Sequence, residues 1–234
     1  MRQIVLDTET TGLETARGHR IIEIGCIELV NRRLTGREYH RFVNPEREID
    51  EGAEAVHGMS RADLESQPRF SDIAEEFLAF IRDGELVIHN AEFDVGFLEH
   101  ELGLMKHPEP NIKQHATVLD TLIIARRLHP GQRNSLDALC KRYKVDASRR
   151  NVHGALIDAE LLARVYLAMT GGQAALSLEH EAVQISGTGK ESGGQPPASD
   201  LELVVVRANE EESAAHEALL DKMQSSGHCV WRED

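Results

Sequence analysis

The sequence predicts an α/β protein with a mixed sheet of five strands flanked by helices, followed by a flexible linker and a small C-terminal segment. Three observations predict it: apolar, β-branched runs come first, similar runs then alternate with helical patterns, and the composition changes after Thr170. A chain of 234 residues with 41% hydrophobic side chains can form one substantial core and a smaller appendage.

The first three predicted strands are consecutive in the chain. IVLDTET (4–10) and RIIEIGCIELV (20–30) are apolar runs, and REYHRFVNP (37–45) alternates in polarity and stops at Asn-Pro. Consecutive strands of this kind are typical of an antiparallel meander. ELVIHN (85–90) is the fourth predicted strand, and TVLDTLIIARRLHP (117–130) supplies a fifth strand or a strand–helix junction.

Apolar residues at helical spacing predict four helices in the same part of the chain. FSDIAEEFLAFIRDG (70–84) ends at a glycine, and AEFDVGFLEHELGL (91–104) follows the fourth strand with Asn90 as its N-cap. SLDALCKRYKV (135–145) and GALIDAELLARVYLAMT (154–170) are the other two.

The remainder of the chain has a different composition. Residues 171–199 are rich in Gly, Ser, Gln and Pro and lack aromatic side chains, which predicts a flexible linker that spans ~30 Å root-mean-square as a random coil. Residues 200–206 then read as a strand and 209–227 as a helix with an acidic start. The apolar side of this helix consists of Leu219, Leu220 and Met223. This segment is too small for a core of its own, so we expect it to fold on a partner with Trp231 as an anchor, or else to pack back on the main domain.

The negative charge of the chain is concentrated in its tail. The net charge is −14; residues 1–170 carry 22 basic and 28 acidic side chains, and residues 171–234 carry 4 and 12. The tail is therefore not expected to bind DNA. Residues 126–150 hold eight basic and two acidic side chains. Two interpretations of this stretch stand side by side, a site for a nucleic-acid backbone and a solvated helical face.

The sequence shows no sign of export or of a membrane. No run of eighteen apolar residues occurs, and the start MRQIVLDTET leads into a strand without the pattern of a signal peptide. Cys26, Cys140 and Cys229 lack the spacing of metal ligands or disulfides, as is usual in a reducing compartment. These features predict a soluble, cytoplasmic protein without a membrane partner.

Four carboxylates lie close to the ends of predicted core elements. Asp7 and Glu9 stand at i and i+2 at the end of an apolar strand, so both side chains project from one face. Asp94 lies in the first turn of the helix after the fourth strand, and Asp158 lies in the last predicted helix. Carboxylates near a core need a counter-ion, and Mg²⁺ or Mn²⁺ prefers oxygen ligands. Any single acid of the set is weak evidence, because acidic residues on helices are usually solvated, but the set of four predicts a divalent metal site.

His153 stands five residues before Asp158. On an ideal helix that separation turns two side chains about 140° apart, so His153 is expected on a loop just before the helix. A histidine titrates near neutral pH and can act as a general base toward water. For a histidine considered by itself, a structural or surface position is the more usual interpretation.

Three motifs resemble those of one exonuclease family in order and spacing. DTETTG (7–12), HNAEFD (89–94) and HGALIDA (153–159) resemble the three motifs of the DEDDh exonucleases, which have the ribonuclease H-like fold. Further segments extend the resemblance, over essentially the whole chain, to the family of proofreading epsilon subunits of bacterial DNA polymerase III. They are RRLTG (32–36), VHG (56–58), RNSLDALCKRY (133–143), VYLAMTGGQ (165–173) and the ending HCVWRED.

The resemblance implies an activity and a set of site residues. It implies a 3′→5′ DNA exonuclease that removes mispaired 3′-terminal nucleotides as 5′-monophosphates with two divalent cations, Mg²⁺ or Mn²⁺. Asp7 would bridge the two cations, Glu9 and Asp158 would complete one site, Asp94 would support the other, and His153 would be the general base. The residues implied to bind the terminal nucleotide are Asp7, Glu9, Thr10, Thr11, Gly12, His57, Phe93 and Asp158.

The resemblance also implies partners and domain boundaries. Residues 1–170 would be the exonuclease domain, and residues 200–234 would bind the alpha, polymerase subunit. Residues 173–178, at the start of the 171–199 linker, look like a sliding-clamp peptide, with leucine where an aromatic residue is common. Its contact residues would be Gln173, Leu176 and Leu178. The DNA partner would be a single-stranded or frayed 3′ end held nearby through effective concentration. The resemblance leaves open whether a small theta-type subunit is a further partner.

Alternatives remain open at this stage. His57 precedes Gly58 and is explained nearly as well by a turn as by a contact with the sugar or base. A ribonuclease of the same fold is one alternative function, which a 2′-OH contact near Glu9 would favour. A noncatalytic brace between polymerase and clamp is the other, against which all five catalytic positions being filled is the main argument.

Overall fold

The computed structural model describes residues 1–148, 152–171, 208–227 and 231. The residues up to 171 belong to one compact unit and the later ones to another, and each unit is described by itself. None of the helices described is long and apolar enough to cross a membrane.

The predicted mixed sheet of five strands is confirmed. Its strands are β1 (Arg2–Thr10), β2 (Ile21–Val30), β3 (Arg33–Phe42), β4 (Glu85–Ile88) and β5 (Thr117–Asp120). Their order across the sheet is β3-β2-β1-β4-β5. The first three form an antiparallel meander, whereas β4 runs parallel to β1 and β5 runs parallel to β4. The carboxyl ends of β1, β4 and β5 therefore meet at one edge of the sheet.

The third strand differs from the prediction of 37–45. It begins at Arg33 and ends at Phe42, because it follows β2 through a two-residue turn. The turn residues Asn31 and Arg32 have positive φ values of 49° and 63°. Positive φ at both central positions is the geometry of a type I′ hairpin, which brings the next strand into register at once.

Eight α-helices lie among the described residues. They are α1 (Glu51–His57), α2 (Arg61–Leu64), α3 (Phe70–Ile81), α4 (Ala91–Leu104), α5 (Thr121–Leu128), α6 (Leu136–Tyr143), α7 (Ala155–Thr170) and α8 (Glu210–Ser226). All four helices predicted for the first 170 residues are present, as α3, α4, α6 and α7. The run 117–130 is a strand–helix junction, β5 followed by α5. The short helices α1 and α2 were not predicted.

The two faces of the sheet are covered by different helices. Along β1, Ile4 and Leu6 pack with α3 and α4, while Val5 packs against α7. Because side chains alternate between the faces of a strand, Asp7 and Glu9 lie on the α7 side and Thr8 lies on the α4 side. The end of β1 thus presents polar groups to both layers.

Gly25 brings the start of α7 onto the sheet. It pairs with Asp7 across the β1–β2 ladder. A Cβ atom at Gly25 would lie 2.3 Å from the carbonyl carbon of Ala155 and 2.3 Å from the amide nitrogen of Leu156. Real Cβ atoms do not approach backbone so closely, so a glycine is needed for this packing. The first turn of α7, which carries Asp158, is thereby placed over the strand pair that carries Asp7.

The second unit contains the helix predicted at 209–227. Asn209 and Glu212 form a reciprocal capping box at the start of α8. Leu219 and Met223 are exposed, and Trp231 is 79% exposed. The predicted linker beyond Gly171, including the 173–178 peptide, and the predicted strand 200–206 lie outside the described residues.

Candidate active site

Three side chains meet at the end of β1. Glu9, His153 and Asp158 each offer a ligand atom, and these atoms lie within 4.8 Å of one another. Glu9 is the penultimate residue of β1, Asp158 lies in the first turn of α7, and His153 precedes Gly154, the N-cap of that helix. The loop position predicted for His153 is therefore observed. Two carboxylates and an imidazole this close together match the ligand preferences of a divalent cation.

His153 is held by contacts on two sides. Its Nδ1 atom lies 3.1 Å from Oδ2 of Asp158, and its backbone N–H donates to the carbonyl of Val56 over 3.2 Å. An ionised carboxylate only accepts hydrogen bonds, so Nδ1 carries the hydrogen in this contact and Nε2 of the neutral ring carries the lone pair. The His153 side chain is 42% exposed, whereas that of Asp158 is 4% exposed. The imidazole is therefore oriented and still accessible from outside.

Asp94 reaches the same strand end from the other layer. The hydroxyl of Thr8, between Asp7 and Glu9 in β1, donates to Oδ1 of Asp94 over 2.7 Å. Asp94 is 3% exposed. Burial raises the pKa of its carboxyl to about 7, against the opposing effect of the hydrogen bond from Thr8. A cation close to this group would favour its ionised form.

The predicted metal ligands thus occupy one region but not one cluster. Among the residues described, Glu9 and Asp158 share a cluster with His153. Asp7 lies two residues before Glu9 on the same face of β1, and Asp94 is hydrogen-bonded to the residue between them. None of the four acids lies at a remote surface.

The start of α4, which carries Asp94, is capped by a residue of another strand. Asn90 occupies the predicted N-cap position, but its backbone is left-handed (φ 66°, ψ 55°) and its side chain makes no capping bond. The carboxylate of Asp120 accepts instead from the N–H groups of Asn90 (3.3 Å) and Ala91 (3.1 Å). It also caps α5 by accepting from Leu122 over 2.7 Å. Asn90 is therefore the N-cap residue of α4, as predicted, but the carboxylate of Asp120 accepts the hydrogen bonds that an N-cap side chain would usually accept.

A cavity of about 470 Å³ opens beside the cluster. Of the residues implied to bind the terminal nucleotide, those that line it are Glu9, Thr10, Gly12, His57 and Phe93. The hydroxyl of Thr10 donates to the carbonyl of Gly12 over 2.7 Å and so braces the wall. Thr11 is fully buried with its hydroxyl 3.1 Å from Nδ1 of His19, so the structure does not place its side chain in the cavity.

Two aliphatic residues of the cavity wall were missed by the sequence analysis. Leu13 and Val56 both line the cavity and are exposed large hydrophobic side chains. Single exposed aliphatic residues are common on protein surfaces, so neither gave a signal in the sequence. The structure shows that both side chains line the same cavity, where they offer an apolar surface to a ligand.

His57 stands at a helix end, as the turn interpretation predicts, and it also lines the cavity. It ends α1, and Gly58 after it has a positive φ of 74°, as at many helix ends. Its Nδ1 accepts the N–H of Met59 over 3.1 Å, so Nε2 of the neutral ring carries the hydrogen. Nε2 is buried without a hydrogen-bond partner among the described residues, and burial lowers the pKa of the ring. The Nε2–H group of His57 therefore offers a hydrogen-bond donor in the cavity wall. This favours a contact with a ligand in addition to the role in the turn.

Sequence comparisons place the chain among proteins of one kind. Residues 4–166 match the exonuclease family RNase_T. The DNA polymerase III epsilon subunit of Salmonella typhimurium is 49% identical over 236 residues, covering 99% of this chain and 97% of the relative. The Escherichia coli K12 epsilon subunit is 48% identical with the same coverage. That of Rickettsia prowazekii is 54% identical over 173 residues, 74% of this chain and 76% of the relative.

Solved structures agree on the fold. Exonuclease X in complex with 5′ overhanging duplex DNA has a TM-score of 0.59 at 25% identity and covers 73% of this chain and 92% of that one. The zinc-bound complex of E. coli ExoI with single-stranded DNA has a TM-score of 0.63 at 16% identity, covering 74% of this chain and 41% of that one. The latter likeness bears on the fold alone. The predicted ribonuclease H-like fold is confirmed.

Proposed function

The chain belongs to the epsilon-subunit family of DNA polymerase III and is a 3′→5′ proofreading exonuclease that depends on a divalent metal. From this activity we propose which of its residues carry out the hydrolysis. The observation that carries the proposal is the cluster of Glu9, His153 and Asp158 beside a cavity that ends at the same strand. Residues 1–170 form the exonuclease domain in this account.

Four acids are proposed to hold two divalent cations, Mg²⁺ or Mn²⁺. Glu9 and Asp158 would hold one together with Asp7, and Asp94 would support the second from the α4 side. The donor set fits because it consists of carboxylate oxygens from the end of β1 and from the two helices beside it, and because Asp94 is buried where a nearby cation would keep it ionised. When bound, the cations lower the pKa of water and offset charge on the phosphodiester.

His153 is proposed to remove the proton from the attacking water. The contact from its Nδ1 to Asp158 leaves the lone pair on Nε2, and its exposed ring can approach a substrate. Its loop is joined to α1 through Val56, a residue of the cavity wall. In this account, a nucleotide that packs against Val56 in the cavity therefore also influences the position of His153 through this backbone hydrogen bond.

The cavity is proposed to hold the 3′-terminal nucleotide. Thr10 and Gly12 form its rigid wall, Phe93 supplies an aromatic surface, and Nε2–H of His57 donates to a sugar or base oxygen. Thr11 contributes by fixing the same loop from inside through His19. A cavity of this size admits one nucleotide, which suits removal of one residue at a time.

A hydrolysis assay tests this function. The full chain with Mg²⁺ or Mn²⁺ should release nucleoside 5′-monophosphates from a primer, and a mispaired 3′ end should react about tenfold faster than a paired one, since fraying costs roughly 1.4 kcal/mol per stacked step. EDTA should stop the reaction. Faster removal from RNA ends than from DNA ends would instead support the ribonuclease, and absence of hydrolysis with either metal would support the noncatalytic brace.

The tail is proposed to tether the domain to its replication partners. Residues 171–199 act as the linker, Gln173, Leu176 and Leu178 bind the sliding clamp weakly, and residues 200–234 bind the polymerase alpha subunit. Exposed Trp231 is proposed as an anchor of that last contact. We further propose a cytoplasmic location and a theta-type subunit as a partner of the exonuclease domain.

Deletion of residues 200–234 should remove only the polymerase contact. In gel filtration with purified alpha subunit and clamp, we expect the shortened chain to lose co-elution with alpha. The full-length double variant Leu176→Ala/Leu178→Ala should co-elute with alpha but lose its weak clamp contact. Co-elution of the shortened chain with alpha would contradict the assignment of this segment.

A further inference from the structure

A buried hydroxyl at the end of β1 holds one of the proposed metal ligands. Oγ1 of Thr8 donates to Oδ1 of Asp94 over 2.7 Å, and the two residues are 6% and 3% exposed. Thr8 stands between Asp7 and Glu9 in β1, whereas Asp94 lies in the first turn of α4. The bond therefore joins the helix that carries Asp94 to the strand that carries two other proposed ligands.

Two buried carboxylates outside the proposed metal site are paired with arginines. Glu28 accepts from Arg2 over 2.7 Å, and Glu101 accepts two bonds from Arg20 over 2.8 Å and 2.7 Å. Such a pair balances the charge of a buried acid within the protein itself. Asp94 forms no ion pair with the residues that the structure describes, and its side-chain partner is a neutral hydroxyl. The contact orients this carboxylate and leaves its charge for a cation.

The hydrogen bond also limits how Asp94 can bind a cation. A hydroxyl supplies one hydrogen, and in this contact the hydrogen is donated to Oδ1. Binding of a cation by both oxygens would turn Oδ1 away from the hydroxyl and leave a buried donor without a partner, which is costly. Oδ2 is therefore the oxygen that Asp94 can offer to a cation without loss of the contact.

Divalent cations differ in the oxygen ligands that they require. Mg²⁺ needs a nearly ideal octahedron at about 2.0–2.1 Å and usually keeps several waters, and Mn²⁺ prefers the same kind of ligand. Ca²⁺ takes about six to eight oxygens at about 2.3–2.6 Å and often both oxygens of one carboxylate. A carboxylate that is fixed in orientation and offers one oxygen therefore suits Mg²⁺ and Mn²⁺ better than Ca²⁺.

We propose that Thr8 is a positioning residue that favours Mg²⁺ or Mn²⁺ over Ca²⁺ at the second cation site, by holding Asp94 to one coordinating oxygen. This inference rests on the proposed function and adds selectivity to its metal site. Without the hydroxyl, the Asp94 carboxylate can turn. It can then give both oxygens to the larger cation, and it is no longer fixed in orientation for the smaller one.

Three variants of Thr8 and one matched control test the inference. Thr8→Val removes the hydroxyl and keeps the branched shape, Thr8→Ala removes it with a different change of shape, and Thr8→Ser keeps the hydroxyl. Thr35→Val is the control, because the Thr35 hydroxyl also donates to a buried carboxylate, that of Glu28, over 2.8 Å. Glu28 pairs with Ile4 near the start of β1, away from the proposed metal site.

The readout is the ratio of the Kd for Ca²⁺ to the Kd for Mn²⁺ at the site that Asp94→Asn weakens. Both constants come from calorimetric titration of the full chain without nucleotide. We expect the Kd for Mn²⁺ to rise about tenfold in Thr8→Val and Thr8→Ala, as for loss of a group that orients a metal ligand. The Kd for Ca²⁺ should stay within about twofold, so the ratio should fall at least about fivefold.

Thr8→Ser and Thr35→Val should keep the wild-type ratio, because each retains the hydroxyl that Asp94 accepts. An unchanged ratio in the folded variants that lack this hydroxyl, or an equal fall in Thr35→Val, would overturn the inference.

The Asp94→Asn titration separates this inference from the proposed function. Weaker binding in Asp94→Asn, together with a wild-type ratio in Thr8→Val, would overturn the role of Thr8 and leave the proposed metal site intact. Mn²⁺ binding by Asp94→Asn equal to that of the wild type would sink the proposed cation at Asp94, and the inference with it. A lower ratio in Thr8→Val but not in Thr35→Val supports the inference even if His153→Gln hydrolyses DNA normally, a result that would sink only the proposed general base.

Discussion

Replacement of Asp158 by asparagine is expected to lower hydrolysis by at least about 10³-fold, because it removes a metal ligand and the partner of the general base together. Asp158 is 3% exposed, and its Oδ2 atom lies 3.1 Å from Nδ1 of His153. An asparagine has nearly the same shape, but it is neutral and can present an N–H group to the imidazole. The charge at the cation site and the tautomer of His153 both change.

Glu160→Gln is the matched control for this variant. Glu160 lies two residues later in α7 and forms a surface ion pair with Arg164, so its replacement removes one negative charge from the same helix. We expect its rate within about twofold of wild type, since surface pairs contribute little. The thermal unfolding temperature of Asp158→Asn should not fall, because it removes one of several neighbouring like charges. Activity of Asp158→Asn equal to that of Glu160→Gln would refute a catalytic site at this carboxylate.

Replacement of His153 by glutamine is expected to reduce kcat about 10²- to 10⁴-fold while leaving metal binding intact. The cluster alone admits His153 as a ligand or as a base, because its ring lies within reach of both acids. The two roles differ in their dependence on pH. A base gives kcat/KM an acidic limb, since protonation of the imidazole removes the acceptor, and the His153→Gln variant should therefore lack that limb.

Rate profiles from about pH 5.5 to about pH 9 and calorimetric titration with Mn²⁺ decide between the roles. Loss of the acidic limb with unchanged Mn²⁺ affinity supports the base. Retention of the limb together with weaker Mn²⁺ binding would make His153 a ligand. His40→Gln is a control on another partly exposed histidine; His40 pairs with Glu23 over 2.8 Å on the meander.

The sequence carried enough information for the strands and for the acids that follow them. Asp7 and Glu9 could be placed on one face because side chains of a strand alternate with a period of two. His153 could be placed before α7 because two side chains five positions apart do not lie on the same face of a helix. The motifs then gave these positions a chemical role. These inferences are local, and they depend on residues that are close together in the chain.

Features set by distant residues could not be predicted. Asparagine is a common N-cap residue, yet the side chain that accepts hydrogen bonds at the start of α4 is that of Asp120, thirty residues after Asn90 at the end of the neighbouring strand β5. Gly25 gave no sign that the backbone of Ala155 lies against it. The turn at Asn31 and Arg32 contains no glycine, so the early start of β3 was not signalled.

The central claim is that the four acids at the end of β1 and on its two flanking helices hold two cations. The most direct measurement is an anomalous difference map from crystals of the full chain grown with Mn²⁺ and thymidine 5′-monophosphate. We predict two peaks, one within about 2.1 Å of carboxylate oxygens of Glu9 and Asp158 and one on the Asp94 side, with Asp7 between them. A map without a peak between Glu9 and Asp158, at Mn²⁺ concentrations that support hydrolysis, would contradict the account.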